Sequence, residues 1–164
     1  MYASTFSKTI APGLRLGWIA APAEVFSRLL ILKQAADLHT SGFDQRVAFA
    51  YLTGNDQSAH LERIRHAYGE RFGVMDAALK AEMPSSFQWT KPEGGMFLWL
   101  TGPTELDGLK LLERAIKHQV AFVPGRDFFP TDGGSNYLRL NFSNSAPERI
   151  REGVSRLGAL CREG

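Results

Sequence analysis

From Asn55 to Met83 the chain keeps one helical rhythm longer than anywhere else. Leu61, Ile64, Tyr68, Phe72, Met75 and Leu79 recur at three- and four-residue spacing and so share one helical face. Asn55 or Asp56 is placed to cap the start, and Pro84 ends the run. A helix of that length links two domains, so the chain divides into an N-terminal part before it and a C-terminal part after it. The 164 residues suffice for one globular domain, or for one domain and a piece of another. With 44% hydrophobic residues the chain is expected to pack a core rather than remain disordered.

Before the long helix, Tyr2 to Phe6 and Arg15 to Ala20 read as two short strands around a turn marked by Pro12 and Gly13. The second strand is apolar enough to be expected buried, and Pro22 stops it. Ala23 to Asp37 carries Val25, Phe26, Leu29, Leu30 and Lys33 at helical spacing, with Pro22 at its entry. Gly42 to Leu52 is a shorter helix closed by Gly54. After the long helix the pattern turns to strands. Phe87 to Lys91 and Gly95 to Thr101 are separated by Pro92, Glu93 and Gly94, a hairpin signal. Leu106 to His118 is helical, with Leu109, Leu112 and Ile116 on one face. Val120 to Val123 is a short strand ending at Pro124-Gly125, and Asp132 to Ser135 is a turn. Tyr137 to Phe142 alternates strictly, which puts Leu138, Leu140 and Phe142 on one side and Tyr137, Arg139 and Asn141 on the other. Pro147 lies in the first turn of a last helix whose core face is Ile150, Val154, Leu157 and Cys161. Residues 84–164 therefore read as strands with two helices packed on them, an α+β layer.

Charge and composition narrow the partners. The formal charge is +2, and the basic residues are spread along the chain without a long run, which argues against nucleic acid. No apolar run approaches the ~20 residues needed to span a bilayer, and no secretory signal pattern is visible, so a cytoplasmic protein is expected. The single cysteine, Cys161, excludes an intrachain disulfide and reads as a packing residue. His39, His60, His66 and His118 show no metal-ligand spacing, so no metal site is expected.

Three clusters hold residue types suited to chemistry. In Thr5-Phe6-Ser7-Lys8-Thr9 a lysine stands among hydroxyls, and together with Arg15 these groups have the make-up of a phosphate site. On spacing alone, a solvated lysine in a polar loop explains that cluster better. Arg139 projects from the outward side of its strand and has the fork that binds a carboxylate through two hydrogen bonds. From periodicity alone an exposed strand arginine is the more ordinary reading. Glu93-Gly94-Gly95-Met96-Phe97 allows close backbone approach, and equally it is an ordinary hairpin turn.

Taken in order, four segments resemble the fold-type I pyridoxal-phosphate (PLP) aminotransferases: STFSKTIAPGLRLGW (Ser4 to Trp18), PEGGMFLWL (Pro92 to Leu100), VAFVPGRDFF (Val120 to Phe129) and NYLRLNFS (Asn136 to Ser143). The subgroup most similar contains 2-aminoadipate and aromatic aminotransferases, together with the aminotransferase-like half of GntR-type transcriptional regulators. The resemblance implies an α/β fold class: the C-terminal portion of the large PLP domain in residues 1–45, linking helices in 46–83, and a small α+β domain in 84–164. It implies that Lys8 joins covalently to PLP and shuttles a proton, that Thr5, Ser7 and Arg15 hold the cofactor phosphate, and that Arg139 clamps the substrate carboxylate. Amino acid and 2-oxo acid substrates are implied with it, as is a homodimer at full length. In this family the partner of the pyridine nitrogen and the ring-stacking aromatic lie upstream of the lysine. Only seven residues precede Lys8 here, which reads as a truncated sequence. Strands 1–6 and 15–21 are then expected to leave apolar edges open, with aggregation and weak activity as the consequence.

Overall fold

The computed structural model describes residues 1–163, and the chain separates into two compact units, Met1–Arg63 and a second beginning at Ile64. In the first unit, strands β1 (Tyr2–Thr5) and β2 (Gly17–Ala20) pair antiparallel, with Tyr2 opposite Ala20 and Thr5 opposite Gly17. Helices α1 (Ala23–Asp37) and α2 (Gly42–Gly54) come next. Pro22 and Gly54 stand where the sequence puts their punctuation. The Ser41 hydroxyl accepts from Asp44 N at 3.3 Å and caps α2.

The expectation of a buried second strand is corrected. All four β2 residues are exposed, and in this unit Leu16 and Ala48 are the buried hydrophobics. Helix α1 has no buried residue, although Leu29 to Leu32 is apolar around its whole circumference. Phe26, Ile31, Leu32, Phe43 and Phe49 are all more than half exposed. A helical turn that is apolar all round carries no face suited to water. A two-stranded sheet offers too little surface to cover it.

Helix α3 (Gln57–Glu82) is capped by Asp56, whose Oδ1 accepts from Ser58 N at 2.9 Å and Ala59 N at 3.1 Å. In the second unit, β3 (Gln88–Trp89), β4 (Phe97–Thr101), β5 (Val123–Pro124) and β6 (Tyr137–Asn141) form an antiparallel sheet of order β3-β4-β6-β5. The predicted hairpin is present, with a shorter first strand. The predicted strand at Val120 to Val123 is displaced, because pairing with β6 begins only at Val123 opposite Arg139. Helices α4 (Gly108–Lys117) and α5 (Pro147–Glu163) complete the unit.

The core forms where the alternating strands turn one face to the helices. Leu98 and Leu100 of β4 and Leu138 and Leu140 of β6 pack with Met75, Leu79, Leu111, Ala115, Ile150, Val154, Leu157 and Leu160. Leu79, Leu98, Leu100, Leu138 and Leu157 are almost wholly buried, and each contributes about 1.5–3 kcal/mol in transfer free energy. On α4, Leu109 and Ile116 are exposed and Leu112 is partly buried against the core, whereas Gly108, Leu111 and Ala115 are buried. A Cβ at Gly108 would lie 2.9 Å from Ser135 O and 3.2 Å from Leu138 Cδ2. The smallest residue of α4 therefore sets the close approach, and Leu109 and Ile116, outside that stripe, turn to solvent.

Candidate functional site

In the first unit, the loop between β1 and β2 gathers four of the five predicted site residues. Thr5 ends β1 and caps a 3-10 turn, Phe6–Lys8; its Oγ1 accepts from Ser7 N at 3.1 Å. The same hydroxyl donates to Leu16 O at 3.0 Å and lies 3.0 Å from Ser7 Oγ. Phe6 N also donates to Leu16 O, at 3.0 Å, so the two strand ends hold the turn from both sides. Lys8 is the last residue of that turn and is exposed. A second 3-10 turn, Pro12–Leu14, packs against the first and delivers Arg15.

Arg15 adopts the left-handed conformation at φ 52°, ψ 36°, and its Nη1 donates to Pro12 O at 3.2 Å. A non-glycine residue held there costs on the order of 1 kcal/mol. Two hydroxyls, an amine and a guanidinium thus stand on one short hairpin. Sequence reasoning passed over His60, whose Nε2 donates to Thr9 O at 3.1 Å and whose ring meets Tyr51 edge-on at 5.6 Å. It ties α3 to the backbone one residue beyond Lys8.

In the second unit, Arg139 lies on β6 directly opposite Trp99 of β4. Alternation puts it on the sheet face away from the leucine core, as expected. That face is aromatic. Cζ of Arg139 stands 4.3 Å from the Phe97 ring centroid and 4.4 Å from that of Phe128. Phe128 meets Trp99 edge-on at 5.5 Å, and Trp99 stacks on Tyr137 at 5.6 Å. Nε of Arg139 is buried without a hydrogen-bond partner. Phe97 was legible through the alternation of β4, once that strand is paired with β6. Phe128 was not, because it belongs to a turn, Gly125–Phe128, that no periodicity places.

The glycine-rich segment before Phe97 is a turn with Gly95 at φ 82°, and a Cβ there would meet nothing within 4 Å. Burial pushes the Cys161 thiol up to about 11, against the neighbouring positive charges of Arg114 and Arg162, so it is a packed thiol rather than a nucleophile. Among the described residues, no group of three metal-ligating side chains stands together, and no helix is long and apolar enough to cross a membrane.

The chain is 44% identical to aromatic-amino-acid aminotransferase 1 of Thermococcus litoralis, over 99% of this chain and 39% of that protein. Its fold superposes with a TM-score of 0.93 on the α-aminoadipate aminotransferase LysN of Thermus thermophilus, solved with N-(5'-phosphopyridoxyl)-L-leucine. The two are 41% identical, over 99% of this chain and 41% of that one. It is also 32% identical to an HTH-type transcriptional regulator of Escherichia coli, YdcR, over 99% of this chain and 35% of the regulator. The chain thus spans about two-fifths of the length of its aminotransferase relatives. Residues 1–157 match the family model of class I and II aminotransferases, and the chain belongs to that family.

Proposed function

We propose that the protein of which this chain is part transfers an amino group between an amino acid and a 2-oxo acid, using PLP. The observation that carries this reading is the hairpin that sets Lys8 beside Thr5 and Ser7 and presents Arg15 from its second turn. The donor set fits the cofactor: hydroxyls and a guanidinium suit a phosphate, and an amine suits an aldehyde. When bound, PLP supplies the aldehyde that takes up the amino group and the electron sink that stabilises charge at Cα.

The chain's own residues do the rest. Ser7 and Arg15 bind the phosphate through hydroxyl and guanidinium donors, and the Thr5 hydroxyl joins them by turning its proton away from Leu16 O. The strained backbone of Arg15 and the hydrogen bonds around Thr5 preset those donors, so little ordering is left for binding. Lys8 holds the cofactor covalently at rest. Once released, its amine moves the proton between the amino-acid Cα and the cofactor. Arg139 takes the substrate carboxylate in its fork.

A homodimer, a cytoplasmic location and a division into 1–45, 46–83 and 84–164 belong to the same proposal. The similarity to YdcR favours a second reading, the effector half of a GntR-type regulator, in which amino acid is sensed rather than consumed. The deciding experiment incubates the chain with PLP, records the visible spectrum, reduces with borohydride and maps the labelled peptide. A new band with label on Lys8, absent in Lys8→Ala, is the expected outcome. Label spread over other lysines, with none at Lys8, refutes the assignment. Consumption of amino acid with a 2-oxo acid acceptor separates the enzyme from the regulator.

A further inference from the structure

Arg139 is dressed unusually for an arginine with an ionic role. Among the described residues no carboxylate, carbonyl or hydroxyl reaches its guanidinium. Its Nε is buried and unpartnered, and its close neighbours are the rings of Phe97 and Phe128 at 4.3 and 4.4 Å from Cζ. A ring attracts the guanidinium charge, but its π face is at best a weak acceptor and replaces no oxygen acceptor for the N–H groups. The guanidinium is therefore flanked by two rings while its Nε–H has no oxygen acceptor.

The two rings are themselves anchored. Phe97 sits on β4, diagonal to Arg139 and on the same sheet face. Phe128 ends the turn Gly125–Phe128 and is buttressed edge-on by Trp99, which in turn stacks on Tyr137. That turn is seated on β6 by Gly125, where a Cβ would lie 2.9 Å from Gly134 O and 3.0 Å from Tyr137 O. The position of Phe128 is thus set by a close backbone contact rather than by a mobile loop.

We propose that Phe97 and Phe128 are positioning residues: they flank the Arg139 guanidinium and hold it so that its N–H groups meet a planar carboxylate. The inference rests on the reading of Arg139 as the carboxylate-binding residue, and it adds what determines how well that residue binds. Phe128 is the ring to test, because it is 45% exposed and lies outside the leucine core, so its replacement leaves the fold in place.

The test uses the whole chain labelled with 15N-arginine and needs no cofactor and no turnover. Its Arg139 Nε–H resonance is assigned by its disappearance in Arg139→Lys, and propionate is the probe. In the unaltered chain the rings displace that resonance upfield, and propionate shifts it saturably. In Phe128→Leu the upfield displacement shrinks and the propionate Kd rises about threefold, the loss expected for one exposed cation–π contact. Phe128→Tyr keeps the ring and restores both. Equal Kd values for Phe128→Leu and the unaltered chain overturn the proposal, as does the absence of any propionate-dependent shift at Arg139. A chain that takes the borohydride label at Lys8 while showing no dependence on Phe128 overturns the positioning role alone. A chain that shows the dependence without the label leaves the positioning role standing and removes the cofactor reading.

Discussion

Gly158 of α5 should be replaceable by alanine on helix propensity and is not on packing, so its substitution separates the two effects by sign. In a helix interior, Gly→Ala is favourable by about 1 kcal/mol. At Gly158, however, a Cβ would lie 2.9 Å from the Glu82 carbonyl carbon and 3.1 Å from its Cβ, and closer still to the carbonyl oxygen. Ordinary carbon contacts lie at about 3.5–4.0 Å, so α5 must retreat from the end of α3 by more than about half an ångström. Two of the atoms in the way belong to the backbone and cannot rotate aside. The retreat also loosens Arg162, which donates to Glu82 O and pairs with the Glu82 carboxylate at 3.7 Å. Overpacking of this kind costs about 3 kcal/mol at the upper end of its range, leaving a net loss of about 2 kcal/mol after the propensity gain. Gly153→Ala, on the same helix with nothing within 4 Å of its Cβ, is the control. In urea unfolding followed by circular dichroism, Gly158→Ala should lower the midpoint by about 1 M at unchanged slope. Gly153→Ala should raise it. A midpoint for Gly158→Ala at or above that of the unaltered chain refutes the packing argument. A fall in Gly153→Ala equal to that in Gly158→Ala refutes it as well.

Two further predictions concern titration. The Lys80 and Trp89 hydrogen bonds, at 2.6 and 2.9 Å, hold the Asp76 carboxyl below 3.8. Their stabilisation is complete above the unfolded value of 3.8 and is lost as pH falls through the lower folded value. Trp89→Phe should move the Asp76 titration upward in a carbon-detected NMR series, and no movement would show that the indole donor is idle. For Cys161 the sign is opposite. Its folded pKa of about 11 exceeds 9.0, so the folded state keeps the proton longer and stability falls between those two pH values. Iodoacetamide at pH 8 should react with the folded chain about a hundredfold more slowly than with the urea-unfolded chain, and equal rates would contradict the burial.

Local chemistry made the helix ends and one strand legible. Pro22, Gly54 and Pro84 end or open segments through fixed φ, a missing donor or backbone freedom, and those effects act within a few residues. Accordingly α1 and α2 begin where the sequence expects them, and α3 starts behind Asp56. The strict alternation of Tyr137 to Phe142 needs only a half-buried sheet to be realised, so Arg139 could be set on the outer face from sequence alone. Thr5, Ser7, Lys8 and Arg15 are gathered by one short hairpin, which is why their neighbourhood was readable as well.

What the sequence alone determined was therefore periodicity, punctuation and the contents of one loop. Tertiary structure decided which of two available stripes on α4 faces the core. Leu109, Leu112 and Ile116 form one stripe; Gly108, Leu111 and Ala115 form another, and hydrophobicity favours the first. Close approach at Gly108 to Ser135 O chose the second, because the backbone can come near a sheet only where no side chain intervenes. Tertiary structure also brought Phe128 from a turn to Arg139, a contact between residues that share no helical or strand spacing. Spacing along a chain encodes which residues share a face of one element. The meeting of two elements depends on shape at the contact, and that is set only when both are folded.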